Sequence, residues 1–321
     1  MKNILILGAA GQIGSELVPY LRKIYGDYNV VASDLHANVC TEMLESGPYE
    51  VLDALDGKKM NSVVAKYQID TIFNLVAVLS AKGEGNPVYA WKINMDSLFN
   101  ALEITRQTKG AVFTPSSIGA FGPTTPMNHT PQDTVMRPTT VYGISKVAAE
   151  LLGDYYHLKF GVDARGLRYP GIISNVTMPG GGTTDYAVEI YYKAIEEGAF
   201  TCNLSAGTFL DMMYMPDALR SVVELMEADP AKLLHRNCFN VTAMSFDPEM
   251  IAASIRKHIP RFRLDYEVDA IKQSIANSWP NSMDDSAARA EWGWKHEYDL
   301  DTMTADMIQK LTIKLKKGVA C

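Results

Sequence analysis

The 321-residue chain lacks any apolar run long enough to cross a membrane: its longest uninterrupted apolar stretches are the length of a strand, whereas a spanning helix needs ~20 residues. It also lacks a lysine- or arginine-rich block, apart from Lys314, Lys316 and Lys317, and its formal net charge is −7. Because nucleic-acid binding depends on a basic surface, nucleic acid is a poor candidate partner. We therefore expect neither a membrane nor a nucleic acid as the partner.

Cysteine and histidine are few and scattered. The six histidines form no H-x-x-x-H pattern, and the four cysteines form no C-x-x-C pair: Cys40, Cys202, Cys238 and Cys321. We expect reduced, structural cysteines and no bound metal. No charged, apolar and small-residue segments follow Met1 in the order of a secretory signal. The expected location is the cytoplasm, or the mitochondrial matrix if a transit segment has been removed.

The first half of the chain alternates strand-like and helical patterns. Continuous apolar runs, typical of strands buried on both faces of a parallel sheet, occur at Asn3 to Leu7, Asn29 to Ala32, Thr71 to Val76, Ala111 to Pro115 and Ala164 to Tyr169. Helical patterns lie between them at Gln12 to Tyr25, Lys58 to Tyr67, Trp91 to Thr108 and Val141 to Phe160. This β-α-β rhythm predicts a doubly wound α/β fold.

The pattern changes after Pro170 to glycine- and proline-rich turns with shorter elements. We expect a Rossmann-type parallel sheet in residues 1–175, as the NAD-binding domain, and a smaller C-terminal substrate-binding region in residues 176–321. Asp211 to Glu227 read as a short apolar strand followed by a helix. We expect this segment, near residues 208–230, to return to the main sheet.

A glycine-rich loop follows the first predicted strand and opens the first helix: Gly8-Ala9-Ala10-Gly11-Gln12-Ile13-Gly14. Such glycines allow a tight turn and let backbone N–H groups approach a pyrophosphate at the helix N-terminus. Asp34 ends the second strand about twenty residues later, where a carboxylate can accept hydrogen bonds from the adenosine ribose and repel a 2′-phosphate. The pattern favours NAD over NADP. Asp53 can reach the adenine amino group, or be a solvated loop residue.

Tyr142-Gly143-Ile144-Ser145-Lys146 has the form Y-x-x-x-K, which places a phenol and an ammonium on one helix face. A neighbouring cation favours the phenolate, so Tyr142 can take a proton from an alcohol. The segment Thr114-Pro115-Ser116-Ser117 ends the fourth predicted strand, where an open α/β sheet presents its ligands, and a serine hydroxyl there, that of Ser117, can orient the reacting oxygen. The alternative is a buried Tyr142 and a solvated Lys146 without catalytic role.

These motifs, together with Asn74-Leu75-Val76-Ala77 and Asn94, resemble the extended short-chain dehydrogenases/reductases over essentially the whole chain. The resemblance implies catalytic roles for Tyr142 as acid/base, Lys146 on the nicotinamide ribose, Ser117 and Asn94. It implies that the NAD site is built from Gly8, Gly11, Gln12, Ile13, Gly14, Asp34, Asp53, Leu75, Ala77, Asn94, Tyr142, Lys146 and Tyr169. It also implies a homodimer formed through the helix that carries Tyr142 and its neighbouring helix.

Most members of that family act on nucleotide sugars and carry an arginine that meets the diphosphate where this chain has Leu210. Leucine cannot offer the bidentate contacts of arginine, which argues against a diphosphate substrate. An epimerase or dehydratase of nucleotide sugars and a non-catalytic NAD-binding protein remain the alternatives. The retained Tyr142 and Lys146 argue against the second of these.

Three further segments resemble the short-chain type of L-threonine 3-dehydrogenase: 169–174, 179–187 (which begins Pro179-Gly180) and 279–294. The resemblance implies NAD-dependent oxidation of the C3 hydroxyl of L-threonine to 2-amino-3-ketobutyrate. We expect the backbone N–H groups of Gly180 to Gly182 and the hydroxyls of Ser80, Thr183 and Thr184 to bind the carboxylate, with Asp185 attracting the ammonium and Trp279 closing over the methyl group. Alternatively, the glycine run is a connector, Asp185 caps a helix and Trp279 is ordinary core.

Overall fold

The computed structural model describes residues 1–178 and 180–317, so Pro179 and Cys321 lie outside the described residues. The strands are β1 (Ile4–Leu7), β2 (Val30–Asp34), β3 (Tyr49–Val51), β4 (Thr71–Asn74), β5 (Ala111–Phe113), β6 (Ser116–Ser117), β7 (Asp163–Arg165), β8 (Leu167–Tyr169), β9 (Gly171–Ile173), β10 (Ala199–Cys202), β11 (Leu210–Tyr214), β12 (Phe239–Asn240), β13 (Met244–Phe246) and β14 (Arg263–Tyr266). The helices are α1 (Gly14–Tyr25), α2 (Thr41–Glu45), α3 (Gly57–Tyr67), α4 (Ser80–Gly85), α5 (Pro87–Thr108), α6 (Val141–Phe160), α7 (Tyr186–Glu196), α8 (Met215–Glu227), α9 (Pro248–Arg256), α10 (Ala270–Ala276), α11 (Ser286–Trp292) and α12 (Leu300–Lys317).

Six parallel strands form the main sheet in the order β3-β2-β1-β4-β5-β7. The central strand β1 is buried along its whole length, as expected for a sheet that is covered on both faces. The strand order reverses between β1 and β4, and in open α/β sheets the ligand binds at the carboxyl ends of the strands at this point. The predicted Rossmann-type α/β fold is confirmed.

The predicted strand from Ala164 to Tyr169 is divided at Gly166. β7 belongs to the main sheet, whereas β8 pairs with β6 and β12 in a separate three-stranded sheet. A Cβ on Gly166 would lie 2.3 Å from the sulfur of Cys238 and 2.7 Å from the carbonyl oxygen of Thr114. Neighbouring groups therefore leave no room for a side chain at the position where the predicted strand is divided.

The predicted strand and helix near residues 208–230 are present as β11 and α8. However, β11 pairs with β9 and β13 in a second three-stranded sheet, so the expected return to the main sheet was wrong. After Gly166 the chain has left the main sheet, and β9, which follows β8, provides the parallel partner for β11. The division into domains at residues 175 and 176 stays a proposal.

Two apolar clusters cover the faces of the main sheet, and a third lies among α7, α9, α12 and the strands next to them. None of the described helices combines the length and the apolar composition needed to cross a membrane. Cys40, Cys202 and Cys238 are free thiols, and burial raises the pKa of Cys202 to about 11. Within residues 1–178 and 180–317 no group of three or more His, Cys, Asp or Glu side chains could hold a metal ion.

Candidate active site

The glycine loop turns directly from β1 into α1. Gly8 has φ +83°, a conformation that favours glycine. A Cβ on Gly14 would lie 2.3 Å from the carbonyl oxygen of Gly8 and 2.8 Å from the Cα of Ala9. Gly14 therefore lets the first turn of α1 pack against the loop, and this packing aims the helix N-terminus at the carboxyl end of β1.

Several donors of this loop lack a partner in the protein. Within the described ranges, the backbone N–H groups of Gln12, Ile13 and Gly14 donate to no protein acceptor, and the buried side-chain nitrogen of Gln12 has no hydrogen-bond partner. Unpaired N–H groups at a helix N-terminus are suited to an anion, because the helix dipole adds to their partial charge. The loop therefore fits the pyrophosphate of a dinucleotide.

Asp34 ends β2, as predicted, and its carboxylate lies beside the same loop. Oδ2 accepts a hydrogen bond of 3.0 Å from the N–H of Ala10, and Oδ1 accepts one of 3.3 Å from His36. These bonds fix the carboxylate and leave further lone pairs for ribose hydroxyls. Asp53 is exposed two residues after β3 and accepts a bond from Leu55, so its contact with adenine stays a prediction.

Tyr142 and Lys146 lie in the first two turns of α6, whose N-cap Thr140 accepts a bond from the N–H of Gly143. Both side chains are buried, and the Lys146 ammonium is 5.4 Å from the centre of the Tyr142 ring. Lys146 Nζ also donates a 2.6 Å bond to the carbonyl oxygen of Pro115. The structure thus brings the phenol and the ammonium together, as the spacing predicts.

Ser117 is half-buried in β6, on the strand end that faces α6. Its Oγ accepts a 3.1 Å bond from the N–H of Gly119. A Cβ on Gly119 would lie 3.2 Å from the Tyr142 ring, and a Cβ on Gly143 would lie 2.1 Å from the carbonyl oxygen of Gly119. The two glycines allow the segment after Ser117 to pack directly on the start of α6.

The side chain of Asn94 bonds to the backbone of Val78 and is not part of the cleft lining. On α5, its amide accepts a 2.7 Å bond from the N–H of Val78 and donates to the carbonyl of Val78 and to the hydroxyl of Ser145. These bonds join α5, α6 and the segment after β4. Asn94 therefore positions the cleft wall that contains Ala77.

One cleft brings most of the predicted residues together. It is lined by the following residues: Gln12, Ile13, Leu75, Ala77, Leu79, Ser80, Pro115, Ser116, Ser117, Ile118, Tyr142, Lys146, Tyr169, Pro170, Gly171, Ile172, Gly182, Thr183, Thr184, Asp185 and Trp279. Ser116 belongs to the serine pair at the end of the fourth predicted strand. Leu79 and Ile118 were not predicted from the sequence, because neither carries a distinctive pattern.

The cleft lining also contains hydroxyls and an indole. Ser80 begins α4 and is buried; Thr183 is also buried, and its Oγ1 has no partner within the described chain. Trp279 lines the cleft and also packs in the apolar cluster among α7, α9 and α12, so its contact with a substrate methyl group stays a prediction. Tyr169 presents its ring, because its hydroxyl donates to the carbonyl of Ala218.

The glycine turn differs from the prediction. The N–H groups of Gly181 and Gly182 donate bonds of 2.8 and 2.7 Å to Oδ2 of Asp185, so they do not face a substrate carboxylate as expected. Gly180 is exposed and lies outside the cleft lining. Asp185 precedes α7 without making a side-chain cap bond, and burial raises the pKa of this carboxyl. The nearest acceptor for the turn is thus the protein's own carboxylate.

Comparison with known proteins identifies the family. The model of the NAD dependent epimerase/dehydratase family matches residues 4–242. The chain belongs to this family. Its cofactor is NAD, which agrees with the unpaired donors of the glycine loop and with the prediction from the sequence.

The relatives extend over nearly the whole chain. An uncharacterised epimerase/dehydratase of Staphylococcus saprophyticus is 51% identical and covers 99% of this chain and 100% of its own. The structure of L-threonine dehydrogenase from Clostridium difficile is 55% identical, with a TM-score of 0.96 and 98% coverage of both chains. The holo form of a GalE-like L-threonine dehydrogenase from Cupriavidus necator is 51% identical, with a TM-score of 0.94 and coverage of 96% and 99%. The resemblance seen in the sequence is confirmed.

Proposed function

We propose that this protein oxidises the C3 hydroxyl of L-threonine with NAD to give 2-amino-3-ketobutyrate. The observation that carries the proposal is the 55% identity over 98% of the chain to a protein described as L-threonine dehydrogenase. The cleft supports it independently, because it joins the Tyr142 and Lys146 pair to a compact group of hydroxyls beside an indole. Such a lining suits a small polar alcohol.

The proposed mechanism assigns one task to each of three side chains. The hydroxyl of Ser117 holds the reacting oxygen, and the phenolate oxygen of Tyr142 takes the proton from it. The ammonium of Lys146, beside the Tyr142 ring, holds the nicotinamide ribose. When bound, NAD supplies the ring that accepts the hydride from C3. Burial of Tyr142 and Lys146 keeps bulk water away from this proton transfer.

The amino acid end of the substrate is assigned to the opposite wall. The unpaired Oγ1 of Thr183 and the hydroxyls of Ser80 and Thr184 would receive the carboxylate. Asp185 lines the same wall, and its charge would attract the ammonium while Oδ2 stays bonded to the glycine turn. The N–H groups of Gly181 and Gly182 have no part in this revised assignment.

Leu210 and Asp185 argue against a nucleotide sugar as the substrate. Leu210, at the position where such enzymes carry the diphosphate-binding arginine, is fully buried in β11 within the C-terminal apolar cluster. It offers no donor for a phosphate. The charge of Asp185 in the cleft would in addition repel a diphosphate.

The test follows the absorbance of reduced nicotinamide while NAD or NADP is offered with L-threonine, L-allo-threonine, L-serine or UDP-glucose. The proposal expects turnover with L-threonine and NAD, and little with the other pairs. Absence of turnover with every amino acid would remove the threonine assignment. Activity on UDP-glucose would favour the nucleotide-sugar alternative.

We further propose that the protein forms a homodimer through α5 and α6. Both helices expose large apolar side chains, among them Trp91 and Phe99 on α5 and Leu151, Tyr155 and Leu158 on α6, the last 84% exposed. Large exposed apolar side chains concentrated on two helices that pack against each other are typical of an interface. One similar structure, 40% identical with a TM-score of 0.92, is described as monomeric, so the state needs a direct test.

Light scattering during size-exclusion chromatography measures that state. The wild type should have the mass of a dimer, and Leu158→Glu should have the mass of a monomer, because a charge in an apolar interface is costly. Ile271→Glu, on the exposed face of α10, is the matched control and should stay dimeric. A monomeric wild type would reject the proposal.

A further inference from the structure

The face of α6 that carries Tyr142 and Lys146 continues with a buried acid. Glu150 lies one turn beyond Lys146, on the same side of the helix, and is 3% exposed. Its carboxylate is not part of the cleft lining. A buried carboxylate costs free energy unless it is paired and hydrogen-bonded, so its partners indicate what it does.

The first partner of Glu150 is Ser116, whose hydroxyl donates to Oε1 of the carboxylate. Ser116 stands between Pro115, whose carbonyl accepts the 2.6 Å bond from Lys146, and Ser117. The consecutive residues Pro115 and Ser116 are therefore bonded to side chains on two successive turns of α6. The next residue, Ser117, is the one assigned to hold the reacting oxygen.

The second partner of Glu150 is Arg168, which fixes the position of the carboxylate. Its guanidinium donates to both carboxylate oxygens, with Nε to Oε1 at 3.0 Å and Nη2 to Oε2 at 2.8 Å. Nη1 of Arg168 donates in turn to the carbonyl of Gln132 at 2.7 Å and to Asn240 Oδ1 at 3.1 Å. Because the pair is bidentate and anchored at both ends, Glu150 has little freedom to move.

Arg168 is also the residue of β8 that stands opposite Ser116 in the β6 ladder. The three side chains therefore close a loop: the strand pairs with Arg168, Arg168 holds Glu150, and Glu150 holds Ser116. This arrangement joins the strand end to the catalytic helix: Ser116 lines the cleft, whereas Glu150 and Arg168 lie outside its lining.

We propose that Glu150 is a positioning residue, which acts through Ser116 to hold Ser117 and the Pro115 carbonyl in register with Tyr142 and Lys146. This inference rests on the proposed dehydrogenase function. A loss of register of the order of 1 Å between reacting groups costs on the order of 100-fold in rate. The effect belongs to the chemical step, because Ser117, Tyr142 and Lys146 are the residues assigned to proton transfer and the cofactor, not to the amino acid end of the substrate.

The experiment compares Ser116→Ala, Glu150→Gln and the double variant with the wild type. Single-turnover formation of reduced nicotinamide gives the rate of the chemical step, fluorescence titration gives the affinity for the reduced cofactor, and thermal unfolding gives stability. Ser254→Ala is the matched control, because Ser254 is a buried serine on α9 that donates to a carboxylate, Asp301, outside the cleft.

Ser116→Ala should slow the chemical step by about 10- to 100-fold and change KM for L-threonine and cofactor affinity by less than about threefold. Ser254→Ala should leave the rate of the chemical step, the KM for L-threonine and the cofactor affinity within about twofold of the wild type. Ser116→Thr, which keeps the hydroxyl, should recover most of the rate. The double variant should be no slower than the slower single variant, because both changes break the same connection.

A chemical step in Ser116→Ala as fast as in Ser254→Ala would overturn the proposal. The proposal would also be overturned if the fold reduction in rate of the double variant equalled the product of the two single reductions, because Glu150 would then act independently of Ser116. If Glu150→Gln does not fold, since Arg168 is left with a buried unpaired charge, the serine variants alone decide. Failure of the proposed function is distinguishable, because the wild type itself would then not oxidise L-threonine.

Discussion

The ammonium of Lys146 lies 5.4 Å from the centre of the Tyr142 ring and donates one of its three hydrogens to the carbonyl of Pro115. Within the described residues, two N–H donors of Lys146 therefore remain for the Tyr142 oxygen and for the proposed ribose contact. The bond to Pro115 fixes where they point. The relationship ties the end of a strand to the helix that carries the proposed acid/base.

Removing the phenol tests that assignment. Tyr142→Phe should lower kcat by about 100- to 10,000-fold, because it deletes the proton acceptor, and should leave NAD affinity nearly unchanged. Steady-state kinetics and cofactor titration measure the two quantities. Tyr156→Phe is the control, because this tyrosine lies on the same helix and donates to Glu103 outside the cleft. Near-wild-type turnover in Tyr142→Phe would reject the mechanism.

The close packing at Gly14 makes it the sensitive position of the cofactor loop. Gly14→Ala should weaken binding of reduced nicotinamide dinucleotide by at least about tenfold, because the added Cβ forces the loop away from α1. Fluorescence titration measures this. Gly85→Ala, on α4, should bind normally, since a Cβ there meets no atom within 4 Å. Equal affinity in the two variants would mean that the loop does not hold the cofactor.

Asp34 should set the preference for NAD over NADP. Asp34→Asn keeps an oxygen that can accept the bond from the Ala10 N–H but removes the negative charge facing the ribose. We expect the ratio of kcat/KM for NAD to that for NADP to fall by about tenfold or more, chiefly through improved use of NADP. An unchanged ratio would show that the charge of Asp34 does not exclude the 2′-phosphate.

Asp211 predicts a pH dependence of stability. It is fully buried in β11 and accepts bonds from Thr242 and from the N–H of Met283, and burial raises its pKa to about 7. The folded state therefore holds this proton more tightly than the unfolded state, whose carboxyl titrates near 3.8. The stability from this site is complete below about pH 4 and is lost as the pH rises towards 7.

The amide in Asp211→Asn resembles the protonated acid, so this variant should not lose stability as the pH rises towards 7. Its free energy of unfolding relative to wild type should rise by at most about 1.4 kcal/mol per pH unit between pH 5 and 7, and level off above. Denaturant unfolding at a series of pH values measures the difference. Asp299→Asn is the control, because hydrogen bonds from Thr302 lower the pKa of Asp299 and no rise is expected there. A pH-independent difference for Asp211→Asn would contradict the account.

Local signals predicted the elements that carry the chemistry. The bounds expected for α6 agree with the structure, because Thr140 at the N-cap and Gly161 at φ +69° mark its two ends. The periodicity predicts that α5 begins at Trp91, whereas the helix begins at Pro87. Asn86, whose side chain accepts from the N–H of Tyr89, followed by Pro87 at the first helical position, was the capping signal that periodicity did not show.

Contacts between distant segments account for what the sequence did not predict. The bond between Ser116 and Glu150 joins residues 34 positions apart, and no spacing rule connects them. The direction of the N–H groups of Gly181 and Gly182 depends on the backbone path of the turn, so their bonds to Asp185 replaced the expected role in substrate binding. Residue types thus indicated the site, and the tertiary fold decided which polar groups stay available.

The most direct test of the central claim uses L-threonine that carries deuterium at C3, with NAD and the wild-type protein. If C3 is the oxidised carbon, mass spectrometry should find one deuterium in the reduced nicotinamide for each 2-amino-3-ketobutyrate formed, or for the aminoacetone that arises from its decarboxylation. Reduced nicotinamide without deuterium, or no reduction at all, would contradict the account.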